Sequence, residues 1–367
     1  MAEPRIYLDH AATTPVLPAA RAAMMEGMAR WANPGSLHRD GRAAKAALED
    51  ARDRIKRGLG WSGELIFTSG ATEAAALAFR PSRLKGRKPI LSTVEHHAIL
   101  RQVPESERTG IGVTVDGLVD PVQLASLLRI SGEVLVAIQH VNQETGVVQP
   151  ISDIVEVTSA ARATLLVDCA QSAGKLPLPQ ADLMIVSAHK LGGPPGIGAL
   201  LVRDFGTLVP TGGQERGYRA GTENLPAILG FAAALEAPRD QHGFQLWFEA
   251  QLAKRLALET AIEGAGGSTV CSAAIRSPMV GSYYMPGLSA AAQLVRLDAM
   301  GFSVSAGSAC SSGSLSQSHV MAALGLAPEW SNNCIRVSFG PETTLAEVEC
   351  FTTAWTALAQ EAGRRAA

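Results

Sequence analysis

From Glu64 to about Arg203, short apolar β-branched runs alternate with longer stretches of helical periodicity. Leu65–Thr68, Ile90–Thr93, Val134–Ile138, Leu165–Val167, Leu183–Val186 and Ile197–Val202 read as strands. Several are nearly unbroken apolar runs, the pattern of strands buried on both faces of a largely parallel sheet. Helical patterns begin near Thr72, Pro121 and Ile151 between them, so this block predicts an α/β layer architecture. Ahead of it, Arg42–Leu59 is rich in Ala, Lys, Arg, Glu and Leu, is punctuated by Gly41 and Gly58, and predicts one amphipathic helix. Beyond it, Asn224–Glu236 predicts a helix, and Phe244–Glu263 a long one leading away from the sheet, the expected domain junction. The remainder mixes short strands with helices at Ala290–Met300 and Leu345–Ala362, as a smaller α+β unit would. Ser303–Ser318 is rich in Ser and Gly, which predicts a mobile loop.

Composition narrows the classes. A chain of 367 residues with 47% hydrophobic and 18% charged side chains supplies a core for two domains and argues against disorder or a coiled coil. A formal net charge of -2 gives no surplus of Lys and Arg for nucleic acid or an anionic membrane. Neither a basic segment followed by an apolar one nor a run of about 20 apolar residues is present, so a soluble, cytoplasmic protein is expected. Five scattered cysteines (Cys169, Cys271, Cys310, Cys334 and Cys350) form no Cys-x-x-Cys pair, against both a disulfide framework and a thiolate zinc site. His10, His38, His97, His140, His242 and His319 are irregularly spaced and read as structural or surface residues, so no metal is expected.

Three places carry candidate chemistry. Thr68-Ser69-Gly70-Ala71-Thr72-Glu73 runs from a strand through a glycine into a helix, which leaves the amides of Ala71 and Thr72 unpaired at a helix start. That turn suits an anion, although the same residues also serve as ordinary caps. Asp168 closes an apolar strand, and Ser187, His189 and Lys190 follow another, at the carboxyl ends where α/β sheets bind ligands. Gly192–Gly198 imitates a dinucleotide loop but leads into a strand, so it does not speak for NAD. Ser187, His189 and Asp168 contain the residue types of a hydrolase triad, yet no Gly-x-Ser-x-Gly elbow is present and Lys190 would be unexplained. Lysine, strand-end aspartate and a helix-start phosphate turn are together the parts for pyridoxal 5'-phosphate.

These motifs recur with Tyr7–Pro15, Asn33–Ser36, Glu95-His96, His140–Gly146, Arg219–Asn224, Gly307–Cys310 and Ile335–Ser338. In this order the sequence resembles the cysteine desulfurases, the NifS/IscS-like group of the class V pyridoxal-phosphate-dependent aminotransferase family, over nearly its whole length. The resemblance implies fold type I: a large domain, residues 15–243, with a mostly parallel seven-stranded sheet between helices, and a small α+β domain from 1–14 and 244–367. That small domain would carry the mobile cysteine loop, about 303–318.

By the same resemblance, Lys190 holds the cofactor covalently, Asp168 pairs with its ring nitrogen, His96 stacks on the ring and takes part in proton transfer, and Gln171 contacts the ring hydroxyl. Ala71, Thr72, Ser187 and His189 bind the phosphate. Asn142 and Arg336 orient the substrate L-cysteine, the guanidinium forking onto its carboxylate. Thr222 reaches into the neighbouring subunit's site, so a homodimer is implied. Cys310 matches the nucleophile that takes up the sulfur as a persulfide and passes it to a sulfur-acceptor protein, such as an iron–sulfur scaffold. The length of its loop resembles the long-loop desulfurases. The chain ends at Gly363–Ala367 without the longer tail with which relatives dock a scaffold, so the acceptor stays open. Departures from the family pattern are Ala74–Ala76, where polar residues are usual, Gln143 for Asn, Pro195 for Lys and Cys169 for Ala. A selenocysteine lyase, another class V reaction such as transamination, and a non-catalytic sulfur-assembly scaffold are the competing readings.

Overall fold

The computed structural model describes residues 5–131, 134–237, 243–307 and 317–366. Its central sheet has seven strands in the spatial order Glu64–Thr68, Gly198–Val202, Leu183–Ser187, Thr164–Asp168, Leu135–Gln139, Ile90–Ser92 and Thr109–Ile111. Neighbours are parallel except at Gly198–Val202, which runs against both of its partners. The expected α/β class and mostly parallel sheet are therefore present. The apolar runs have the expected cause: Leu135–Gln139, Leu183–Ser187 and Gly198–Val202 are buried at every residue. Phe67, Val167, Met184, Val186 and Leu201 enter a core with the helices Arg39–Gly58 and Leu225–Glu236. The alternate residues Ile66, Leu166, Leu183, Ile185 and Leu200 pack on the other face with Ala75, Ala78 and Phe79 of the helix Ala71–Leu84.

The helix Arg39–Gly58 starts three residues ahead of the expected boundary because His38 caps it, its Nδ1 accepting the Gly41 amide at 3.2 Å. A second helix, Pro18–Ala29, lacks a strong apolar stripe and buries only Ala20 and Gly27. It packs closely on Leu225–Glu236: a Cβ on Gly27 would lie 2.7 Å from Pro226 Cα, and one on Gly230 would lie 2.6 Å from Met24 Cγ.

A separate core surrounds a four-stranded antiparallel sheet ordered Ser305–Ala306, Cys334–Ser338, Val280–Tyr284 and Ser268–Thr269. Leu258 and Ile262 of the helix Phe244–Gly264, Leu297 of Ala290–Ala299, and Phe351 and Trp355 of Leu345–Ala366 cover it. The strand Ile6–Tyr7 pairs with Phe302–Ser303, and Leu8 enters the same core. No helix among the described residues is long and apolar enough to cross a membrane.

Candidate active site

The register of the large sheet brings the candidate residues to one edge. Thr68 and Ser187 both stand opposite Gly198, and Gln139 stands opposite Asp168. A cavity of about 520 Å³ opens at this edge, and Ala71, Thr72, His96, Asp168, Ser187, His189, Lys190 and Arg336 all line it. Eight of the expected site residues are thereby brought together from five segments of chain. Pro195 and Gly196, from the glycine-rich stretch that leads into a strand as expected, form part of the wall.

At one end, Gly70 has φ +147° and precedes the helix Ala71–Leu84, whose start carries no side-chain cap. The first amides of a helix have no intrahelical acceptor, so they remain available to an anion. The Ser69 amide is taken by Glu73, whose other carboxylate oxygen accepts from Arg219 Nε at 2.9 Å. Behind this turn, a Cβ on Gly198 would lie 2.6 Å from the Val186 carbonyl and 2.8 Å from Gly70 Cα. Gly198→Ala should push the turn out of place and weaken cofactor uptake by about tenfold, corresponding to about 1–3 kcal/mol of overpacking. An absorbance titration with pyridoxal phosphate checks this; unchanged affinity would show that the turn tolerates the displacement.

At the floor, Asp168 Oδ1 accepts the Ala170 amide at 2.9 Å. Burial raises the Asp168 carboxyl, opposed by that hydrogen bond and by the Lys190 charge. Beyond the strand Ile90–Ser92, two strands over, Glu95 is fully buried, and its Oε1 accepts the Gln139 amide at 2.6 Å. Burial, with the Asp168 charge adding to it, drives the Glu95 carboxyl well above the usual carboxylate range. His96 Nδ1 accepts the Ala98 amide at 3.1 Å, which leaves the ring proton on Nε2. Burial, then the Lys190 charge, presses His96 down to about 3, so its ring is neutral at physiological pH. His189 is pressed to about 4 by burial, Lys190 and Lys175, and its Nδ1 lies 3.3 Å from Thr13 Oγ1. That partner is not Asp168, so no hydrolase relay is built here.

His140 is buried, with Nδ1 unpartnered, and burial alone lowers it to about 4. Its folded value lies below the unfolded one of about 6.5, so the stability tied to its neutral ring is present above about pH 6.5 and lost as pH falls toward 4. In urea unfolding from pH 7.5 to 5, wild type should therefore lose about 2 kcal/mol relative to His140→Gln. A pH-independent difference would mean that His140 titrates normally.

Other expected residues stand differently. Gln171 is buried beside the cavity; its Nε2 donates to the Ala11 carbonyl at 2.9 Å and its Oε1 has no partner. Asn142 does not line the cavity, and its side chain is used in its own turn. Its Oδ1 accepts from the amides of Glu144 and Thr145, both at 2.9 Å, and its Nδ2 donates to the Val94 carbonyl at 3.2 Å. Thr222 is exposed and does not line the cavity. Cys310 lies outside the described residues, as does most of the expected mobile loop.

Arg336 is 3% exposed, so its charge must be met. Its Nη2 bonds Asp9 Oδ1 at 2.7 Å and its Nη1 donates to the Gln143 carbonyl at 3.2 Å, while its Nε is unpartnered. Asp9, Glu73, Glu95 and Glu144 sit inside motifs visible in the sequence, but their partners lie far along the chain. The one local signal was an acid within each motif.

The donor set suits pyridoxal 5'-phosphate on the structure's own terms. An uncapped helix start stands at one end of the cavity, an orphaned Gln171 oxygen and the buried Asp168 carboxyl lie at its floor, and Lys190 lines it, a set that would fit a phosphate, a pyridine ring and an aldehyde.

Comparisons with known proteins show the family to which the whole chain is similar. The family described as aminotransferase class-V matches residues 6–351. The chain is 36% identical over 365 residues to the cysteine desulfurase IscS of Anaeromyxobacter sp. (strain Fw109-5), covering 94% of this chain and 90% of that protein. A solved NifS-like protein from Rickettsia africae superposes with a TM-score of 0.85 at 30% identity, over 96% of this chain and 99% of that one. SspA, solved in complex with cysteine, superposes with a TM-score of 0.77 at 30% identity, over 92% and 99% of the two chains. A family match over nearly the whole chain and the shared sheet lead to one assignment: the chain belongs to the aminotransferase class-V family, within its NifS/IscS-like group of pyridoxal-phosphate-dependent cysteine desulfurases.

Proposed function

We propose that this chain converts L-cysteine to L-alanine and carries the released sulfur as a persulfide on Cys310. The observation that carries this reading is the meeting of Lys190, Asp168, His96 and Arg336 around one cavity whose far end is an uncapped helix start. Pyridoxal phosphate, when bound, supplies an electron sink for the bonds broken at the substrate's carbons. Lys190 would hold the cofactor's aldehyde, Asp168 would keep a proton on its ring nitrogen, and Gln171 would take its ring hydroxyl. Ala71, Thr72, Ser187 and His189 take the phosphate. His96, lining the cavity with its proton on Nε2, would cover the cofactor ring and move a proton through that nitrogen. Arg336 receives the substrate carboxylate, and Asn142 orients the substrate indirectly by shaping the turn whose Gln143 carbonyl holds Arg336.

Cys310 as thiolate attacks the substrate sulfur. The S–S bond forms as the C–S bond breaks, the C–S electron pair goes to the β-carbon, and that carbon takes up a proton to become the methyl group of alanine. Three of the described cysteines are poor substitutes. Burial raises the Cys169 thiol strongly, Cys334 to about 12 and Cys271 to about 11, so all three remain protonated at neutral pH.

In the proposed assembly two copies form a homodimer, with Thr222 of each contributing to the other's site. Exposure of Thr222 supports this, as do Met25, Met28, Trp31 and Leu37, which are 64–89% exposed in one stretch of chain. Residues 15–243 would hold the cofactor and residues 1–14 with 244–367 would form the small domain, supported by the pairing of Ile6 with Phe302. The persulfide would pass to a sulfur-acceptor protein, with an iron–sulfur scaffold as the proposed acceptor. The test is mass spectrometry after incubation with L-cysteine. One added sulfur on the Cys310 peptide is expected; sulfur on Cys169, Cys271, Cys334 or Cys350 instead, or none, overturns the assignment.

A further inference from the structure

Glu144 stands on the turn 142–145 and is 2% exposed. Two distant points of the chain converge on its Oε2. Ser318 Oγ donates to it at 2.7 Å, and a Cβ on Gly307 would strike the same oxygen. Gly307 and Ser318 flank the segment 308–317, which carries Cys310. We propose that Glu144 is a positioning residue that fixes both stems of the Cys310 segment to the wall of the active site.

Each stem is tied independently to that wall. On the near side, Ser305 stands opposite Arg336 and Ala306 opposite Ile335, so Gly307 leaves the sheet one step beyond the proposed substrate-binding strand. On the far side, Ser318 Oγ also accepts the Met321 amide at 3.1 Å, capping the helix His319–Ala323. The next residue, His319, donates from Nε2 to the Glu95 carbonyl at 2.9 Å, one residue from His96. The turn beneath is stiff. Asn142 Oδ1 accepts from Glu144 N, Thr145 N and Thr145 Oγ1, and Gly146 adopts φ +77° where a Cβ would clash with the Val280 carbonyl. Arg336 Nη1 grips the same turn through Gln143. One rigid turn therefore sets the proposed substrate arginine and both stems of the nucleophile's segment in a common frame. The carboxyl also faces the Arg336 guanidinium and the His97 ring. Near-attack placement is steep in distance, about 10²-fold in rate for 1 Å, so stems freed from Glu144 should slow sulfur transfer, while substrate binding persists because Arg336 is held through Gln143 and Asp9 rather than through the Glu144 side chain.

This inference rests on the reading of Cys310 as nucleophile, and its test separates the two. Glu144→Ala, Glu144→Gln and wild type are loaded with cofactor and mixed with L-cysteine. Absorbance follows substrate binding, mass spectrometry follows persulfide on each cysteine peptide, and a separate run measures iodoacetamide alkylation of Cys310. Glu144→Ala is expected to bind cysteine as wild type does, form persulfide at least about tenfold more slowly, and alkylate at Cys310 at a rate changed at least about threefold. Glu144→Gln, whose carbonyl still accepts from Ser318, should recover most of the rate. The anchor is overturned if Glu144→Ala alkylates as wild type does, or if binding and transfer fall together. Sulfur on another cysteine in wild type would overturn the nucleophile assignment, while alkylation would still decide the anchor.

Discussion

Lys190→Ala is expected to lower cysteine turnover by roughly 10³-fold or more, since it would remove both the proposed covalent hold on the cofactor and a positioned proton carrier. The structure predicts a clean loss. Lys190 closes the short turn Ala188–Lys190 directly after a buried strand, and its carbonyl is held by Thr14 Oγ1 at 3.2 Å, so the backbone should keep its place when the side chain is removed. The proposed phosphate contacts at Ala71, Thr72, Ser187 and His189 would remain, so the variant should still take up pyridoxal phosphate and release it on desalting. Borohydride reduction should fix the cofactor to the Lys190 peptide of wild type and leave the variant unlabelled. Label on another lysine, or turnover within tenfold of wild type, would remove Lys190 from its assigned role.

Arg52→Ala should cost about 3–5 kcal/mol of stability, because it strands a buried carboxylate. Arg52 and Glu215 form a two-pronged pair at 2.7 and 2.9 Å, with side chains 5% and 1% exposed. Arg52 Nη1 also donates to the Leu65 carbonyl at 2.7 Å, Glu215 accepts the Phe67 amide at 2.8 Å, and the guanidinium lies 4.6 Å from the centre of the Phe67 ring. The pair thus braces the edge strand Glu64–Thr68, which presents the phosphate turn. Urea unfolding should show the loss, and cofactor affinity should fall with it. A midpoint shift worth less than about 1 kcal/mol would mean that water reaches and solvates Glu215 once the arginine is gone.

The parts of the fold legible in the sequence were those whose cause is local. Apolar runs such as Leu183–Val186 announced buried strands, and Asp168 and Lys190 stood at strand ends where ligands bind. The direction of Gly198–Val202 was not legible, since an apolar run reads the same either way. Pro18–Ala29 escaped because its contact face is built from Ala20 and Gly27, whose small size permits close helix packing but gives no apolar periodicity. Thr109–Ile111 is an edge strand of only three residues, too short for a pattern. In the site, long-range pairing hid the supporting acids. Asp9 meets Arg336 across 327 positions and Glu144 meets Ser318 across 174, and nothing beside either acid in the sequence names its partner.

The strand that runs the wrong way has a consequence for how the protein handles its cofactor. Leu183–Ser187 and Gly198–Val202 are antiparallel neighbours, so Lys190 sits in the link of a hairpin inside the sheet, closed by Ala188 N to the Ile197 carbonyl at 3.2 Å and Gly193 N to the Ala188 carbonyl at 2.9 Å. Freeing that link means tearing apart the middle of the sheet, an opening close in free energy to global unfolding. The lysine's backbone is therefore a fixture of the empty protein as much as of the loaded one. A protein built this way is expected to give up its cofactor and take it back without refolding in between.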